Sequence, residues 1–275
     1  MPPSDPLVRF RCYNVAIMPD QFDRTRSLVG SDAFSALSAA HVIVFGIGGV
    51  GGHAAEALVR SGIGAIDLVD KDIVCITNVN RQIIATCDTV GKPKVDVAAQ
   101  RFLSINPSCH VTGFRCFYLP ETANDFDFSI YDYVVDAVDT VTAKLLIAER
   151  AQKANVPVIS SMGAANKLDP TAFRVSDIYE TSVDPLARVM RKECRKRGID
   201  KLKVVYSQEA PRTAAMPSGT ESTPCPARDR CPKAASCTEQ ASSGPASNAY
   251  VPAAAGLAIA SEVVKDIISK AQVDD

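Results

Sequence analysis

The segment HVIVFGIGGVGGHAAEALVRSGIGAIDLVD, residues 41–70, constrains the fold more than any other part of the chain. Residues 41–46 are a short apolar run, rich in β-branched residues and closed by glycine, which reads as a buried strand. Gly46, Gly48 and Gly51 satisfy the pattern G-x-G-x-x-G, and Gly48 to Gly52 turn into a helical stretch that stops at Gly62 and Gly64. Residues 65–70 form the next strand, with Asp70 at its end. Together these make one βαβ unit, which predicts a parallel sheet with helices on its faces. Glycines at these positions let the backbone approach a phosphate, and the helix N-terminus supplies N–H donors and positive potential. Asp70 is placed to accept hydrogen bonds from ribose hydroxyls. The pattern defines a nucleotide site without saying which nucleotide, and dinucleotide oxidoreductases are its common owners.

The alternation continues. Residues 92–105 have helical spacing and stop at Asn106-Pro107, strands follow at 109–115 and 132–137, a helix at 140–154 and strands at 156–161 and 171–178. Residues 184–197 place Leu186, Val189, Met190 and Cys194 on one helical face. The expected fold is α/β, a Rossmann-like, doubly wound, mostly parallel sheet with helices on both faces. Between residues 208 and 248 the chain turns rich in Pro, Ser and Ala, with almost no large apolar side chain, and reads as a flexible loop. Residues 251–271 are then a largely apolar helix opened by a proline. The expected organisation is a flexible extension over 1–20, the nucleotide-binding domain over 21–207, the loop over 208–248 and a helix over 249–275 returning to the same domain.

Composition narrows the partners. Net charge is −1, so nucleic acid must be met by a local patch. No apolar run approaches the roughly 20 residues of a membrane span. Nine cysteines, an odd number with no C-x-x-C pair and no secretory signal, imply reduced thiols in the cytoplasm. Cys225, Cys231 and Cys237, spaced C-x₅-C-x₅-C in the loop, match no zinc signature and read as ordinary exposed thiols, with a relay thiol at Cys225 as the other reading.

After the second strand come Asn78, Asn80, Arg81 and Gln82 in a tight cluster, then Lys94 in the first turn of the next helix. A pyrophosphate between two sugars carries two charges, which backbone N–H groups largely satisfy. A triphosphate carries about four, and departure of pyrophosphate develops more on the leaving oxygens. Two cations beside the glycine turn therefore suit ATP. Asp136 and Asp139 fall at the C-terminal end of a buried strand, where open α/β sheets bind ligands. Asp139 is read as a Mg²⁺ ligand facing the phosphates, its other reading being a helix N-cap.

The run VFGIGGVGG…LVDKDIVCITNVNRQ…VGKPKVD…DAVDT resembles the adenylating domain of the ubiquitin-activating-like enzymes. Within that superfamily, FDRTRSLVG, the block over 160–207 and YVPAAAGLAIASEVVKD resemble the tRNA threonylcarbamoyladenosine dehydratases. The resemblance implies ATP-dependent cyclisation of N6-threonylcarbamoyladenosine beside the tRNA anticodon, through a carboxyl-adenylate. The candidate nucleotide-binding set is Gly46, Gly48, Gly49, Asp70, Asn78, Asn80, Arg81, Gln82, Lys94, Asp139 and Thr140, with Asp139 on Mg²⁺. Arg24, Arg81, Lys94 and Asp139 are the candidate catalytic residues. By the resemblance, Arg24 reaches the phosphates of the neighbouring subunit in a homodimer. A sulfur-relay protein is a further partner the resemblance allows. The alternative is an activator of a ubiquitin-like or sulfur-carrier protein, whose relatives usually carry the two C-x-x-C pairs missing here. For tRNA, the basic stripe with Arg191, Lys192, Arg195 and Arg197 is the expected phosphate contact.

Overall fold

The computed structural model describes residues 20–213 and 245–273. Its centre is a seven-stranded sheet in the order β3-β2-β1-β4-β5-β7-β6. The strands are β1 (His41–Phe45), β2 (Ala65–Val69), β3 (His110–Phe114), β4 (Tyr133–Asp136), β5 (Val158–Ser161), β6 (Phe173–Asp177) and β7 (Lys203–Ser207). Pairings are parallel except for the edge pair, where β6 runs antiparallel to β7. Chain order reverses beside β1, which pairs with both β2 and β4. That reversal opens the crevice in which doubly wound sheets bind ligands.

The helices are α1 (Asp23–Val29), α2 (Ser31–Ala39), α3 (Gly51–Arg60), α4 (Lys94–Ile105), α5 (Val141–Ala154), α6 (Pro185–Lys196) and α7 (Val251–Val273). Strand alternation decides which helix meets which face. Val42 and Val44 of β1 join one core with Leu58 of α3, Phe102 of α4 and Val263 of α7. Ile43 and Phe45 face the other way, into a cluster with Ile147 of α5 and the aromatic rings of Tyr118, Phe126 and Phe128. A third cluster packs Met190 and Cys194 of α6 on Val204 and Tyr206 of β7.

The expected doubly wound sheet is the one observed. The reading from sequence missed α1, α2 and β7; the β7 run KVVYS is short and opens with a lysine, so it lacks a clear period. The observed α7 reaches Val273. The cysteines of the Pro/Ser/Ala-rich loop and most of that loop lie outside the described residues.

Candidate nucleotide site

Gly46 leaves β1 with φ of 88°, a conformation suited to glycine, and a Cβ there would lie 2.7 Å from the Ala137 carbonyl oxygen. A Cβ on Gly51 would lie 1.9 Å from the Gly46 carbonyl oxygen, so the start of α3 also needs glycine. The turn therefore closes tightly on itself and on the segment after β4. The N–H groups of Gly48, Gly49 and Val50 have no partner among the described residues. Successive unpaired N–H groups at a helix start make a concavity for an anion.

Asp70 sits beside this turn, and both of its oxygens are already engaged. Oδ2 accepts the Ile47 N–H at 2.8 Å and Oδ1 accepts the Asp72 N–H at 2.8 Å. The same carboxylate thus fixes the glycine turn and orients itself at its edge. Lys94 Nζ lies 3.6 Å from Asp70 Oδ2 and 3.2 Å from Asp72 Oδ2, with its side chain nearly buried. The ammonium is therefore held at the nucleotide crevice.

The segment over 75–82 folds around Asn78. Its Oδ1 accepts the Cys75 N–H at 2.9 Å, and its carbonyl accepts the N–H groups of Arg81 and Gln82. This places the Arg81 Cγ 3.6 Å from where a Gly49 Cβ would stand. The guanidinium donates to the Thr77 carbonyl at 2.7 Å and to Asn80 Oδ1 at 3.0 Å, both neutral acceptors. Burial draws its pKa below the usual arginine value, and no carboxylate pairs with it among the described residues. A half-buried cation without a counter-ion beside an anion cradle is poised for a ligand anion. Gln82 lies against Gly48, and its buried Oε1 has no hydrogen-bond partner among the described residues. An orphaned acceptor there suits a ribose hydroxyl or a base amino group.

The two aspartates after β4 part company. Asp136 is buried and is not a candidate ligand, which corrects its pairing with Asp139. Its oxygens lie 3.2 Å from Lys144 Nζ, and Lys144 also donates to the Ser161 carbonyl at 2.7 Å. Lys144 was invisible as a site residue in the sequence because its spacing from Asp136 carries no signature. Asp139 is exposed and has no partner among the described residues. Thr140, not Asp139, stands at the N-cap of α5, and its side chain makes no cap hydrogen bond. Both Asp139 and Thr140 are thus left facing out from the segment that touches the glycine turn.

The chain returns to the site after the loop. Asn80 Nδ2 donates to the Ser247 carbonyl at 3.2 Å, and Asn248 Oδ1 accepts the Val251 N–H at 2.9 Å, capping α7. Pro252 then packs on the glycine turn, its Cβ 3.1 Å from a Cβ built on Gly49. A second buried pair supports this return. Lys167 Nζ donates to the Gly163 carbonyl at 2.7 Å and lies 3.4 Å from Asp184 Oδ2, while the Lys167 carbonyl accepts from Asn248.

Two expected elements do not join the site within one chain. Arg24, on α1, is exposed and has no partner among the described residues. The residue before α1, Phe22, packs near Gly62, at the end of α3 far from the glycine turn. Ten residues of α3 span about 15 Å, so Arg24 belongs to the opposite end of the sheet. The basic stripe divides into engaged and open side chains. Arg191 donates to the Thr181 carbonyl at 2.8 Å and to the Thr181 hydroxyl, Arg195 stacks over Tyr179, and Arg197 reaches Glu149 at 3.1 Å. Asp184 begins α6 beside Gly163, whereas Gly198 follows its end beside Gln152, late in α5. Arg195 and Arg197 therefore lie at the end away from the glycine turn, while Arg188 and Lys192 are exposed and unpaired among the described residues.

A glycine cradle at the switch point of a doubly wound sheet, with cations over it, defines a nucleotide-binding α/β protein of the adenylating type. The chain belongs to the ThiF family, whose model matches residues 22–274. It is 43% identical over 258 residues to the tRNA threonylcarbamoyladenosine dehydratase of Bacillus subtilis, covering 93% of this chain and 98% of that protein. It is 42% identical over 175 residues to the dehydratase of Escherichia coli, covering 64% of this chain and 65% of that one. The crystal structure of E. coli tRNA N6-threonylcarbamoyladenosine dehydratase in complex with ATP superposes with a TM-score of 0.79 at 33% identity, covering 93% and 96% of the two chains. Among the described residues no helix is long and apolar enough to cross a membrane.

Proposed function

We propose that this chain is an ATP-dependent tRNA threonylcarbamoyladenosine dehydratase that works through a carboxyl-adenylate. The observation that carries the reading is the Arg81 guanidinium, bonded to neutral acceptors and with no carboxylate partner among the described residues, beside the N–H groups of Gly48, Gly49 and Val50, which also lack a partner among those residues. The near full-length likeness to the B. subtilis enzyme supports the substrate. The substrate's threonyl carboxylate attacks the α-phosphorus of ATP and pyrophosphate leaves. Arg81 and Lys94 stabilise the charge that develops on the leaving group. The carbamoyl group of the same nucleoside then closes on the activated carbonyl, AMP departs with the carboxylate oxygen, and the net change is loss of water. Because ring closure is intramolecular, positioning supplies much of that step.

Asp139 is the residue that would hold Mg²⁺, since its carboxylate is exposed on the segment abutting the cradle and is unpaired among the described residues. Bound there, the ion supplies Lewis-acid stabilisation of phosphate charge. Arg24 serves the phosphates of a neighbouring subunit, which its distance from its own cradle favours, so the working unit is a homodimer. Arg188 and Lys192 offer the tRNA backbone its phosphate contacts nearest the nucleotide end.

The test is tRNA-dependent ATP–pyrophosphate exchange, followed by nucleoside analysis of the treated tRNA. The expected result is exchange driven by tRNA carrying threonylcarbamoyladenosine and conversion of that nucleoside to its cyclic, dehydrated form. Exchange driven instead by a small protein with a Gly-Gly tail would move the assignment to carrier-protein activation.

A further inference from the structure

The glycine turn holds two successive carbonyls on its helix side, and it does so by different means. The Gly48 carbonyl accepts the Gly52 N–H at 3.0 Å, the usual helical bond. The Gly49 carbonyl is met instead by a side chain, His53 Nδ1, at 2.7 Å. A carbonyl only accepts, so Nδ1 carries the proton in this contact. In a trans peptide the C=O and the following N–H point opposite ways, and the described chain holds no cis bond. Fixing the Gly48 and Gly49 carbonyls towards α3 therefore turns the N–H groups of Gly49 and Val50 away from it, where both are unpaired among the described residues. His53 is itself braced, since a Cβ on Gly256 of α7 would lie 2.9 Å from its Cβ.

We propose that His53 is a positioning residue for ATP: its imidazole replaces a missing backbone donor, holds the Gly49–Val50 peptide in register and so aims the Val50 N–H at the triphosphate. The inference rests on the ATP reading of the cradle. Without the Nδ1 donor the Gly49 peptide can rotate, and one N–H to phosphate bond is lost for part of the time. Asparagine places its amide nitrogen where Nδ1 stands, so it can restore the bond; phenylalanine and leucine fill the space without a donor.

The experiment is calorimetric titration of wild type, His53→Asn, His53→Phe and His53→Leu with ATP and with adenosine, each checked by thermal melting. The expected result is a rise of roughly five- to twentyfold in the ATP dissociation constant for the Phe and Leu variants, the scale of one weakened charge-assisted hydrogen bond. Adenosine binding stays unchanged throughout, and the Asn variant binds ATP like wild type. Equal loss of ATP and adenosine, or no loss of ATP in either apolar variant, overturns the assignment of His53. A wild-type chain that binds adenosine but gains nothing from the phosphates overturns the underlying reading of the cradle instead.

Discussion

Replacing Lys144 by methionine removes one buried charge together with its hydrogen bond to the Ser161 carbonyl. Lys144 and Asp136 each have side chains about 1% exposed, and the ammonium spans both carboxylate oxygens. In Lys144→Met the carboxylate keeps the Val138 N–H, at 3.2 Å, and the Ser160 hydroxyl, but loses its counter-ion. Removing one partner of a buried pair costs about 3–5 kcal/mol, because the remaining charge stays desolvated. With a urea m-value of roughly 2.5 kcal/mol/M, the midpoint falls by about 1–2 M. The double variant Asp136→Asn/Lys144→Met carries no charge and should recover more than half of that loss. Urea unfolding followed by circular dichroism measures all three proteins. The reasoning is refuted if Lys144→Met lies within about 1 kcal/mol of wild type, or if the double variant is less stable than the single one.

Gly51→Ala places a methyl 1.9 Å from the Gly46 carbonyl, so the turn must open; titration with ATP should find binding lost, and wild-type affinity would contradict the packing described. Burial pushes the Cys109 and Cys194 thiols up to about 11, so at pH 8 their reactive thiolate is scarce, whereas Cys87 is exposed. Iodoacetamide on the native protein, read by peptide mass mapping, should therefore label Cys87 well before either buried thiol, and labelling of the buried pair should accelerate as the pH approaches 11. Arg191→Ala should lower thermal stability while leaving the salt dependence of tRNA binding unchanged, because its guanidinium is occupied by Thr181. Arg188→Ala/Lys192→Ala should do the reverse, reducing the salt slope by about 1–2.

The sheet and the glycine cradle were legible because they follow from strictly local rules. An apolar β-branched run, glycines at fixed offsets and a terminal acidic residue suffice for them. Arg81 and Lys94 follow closely behind that turn in sequence, and the structure places Arg81 beside Gly49 and Lys94 beside Asp70. What local rules do not show is which charges cancel. Asp136 and Asp139 look equivalent in sequence, but the strand end turns one inward onto Lys144 and the other outward. Arg191 and Arg197 likewise read as part of a basic stripe, yet Thr181 and Glu149, supplied by other segments, occupy them. His53 was unreadable because its meaning lies in a carbonyl that ordinary helix geometry would have given to a backbone donor.

Pro252 packing on Gly49 has a consequence for how the protein is made. The two partners are far apart in sequence, and a ribosome delivers the chain at roughly 5–20 residues per second, N-terminal part first. The cradle is translated early but waits roughly 10–40 seconds for the helix that leans on it. A polypeptide that has not yet reached α7 thus carries the glycine turn without its final support, and emergence of Pro252 becomes the step that completes the packing around it.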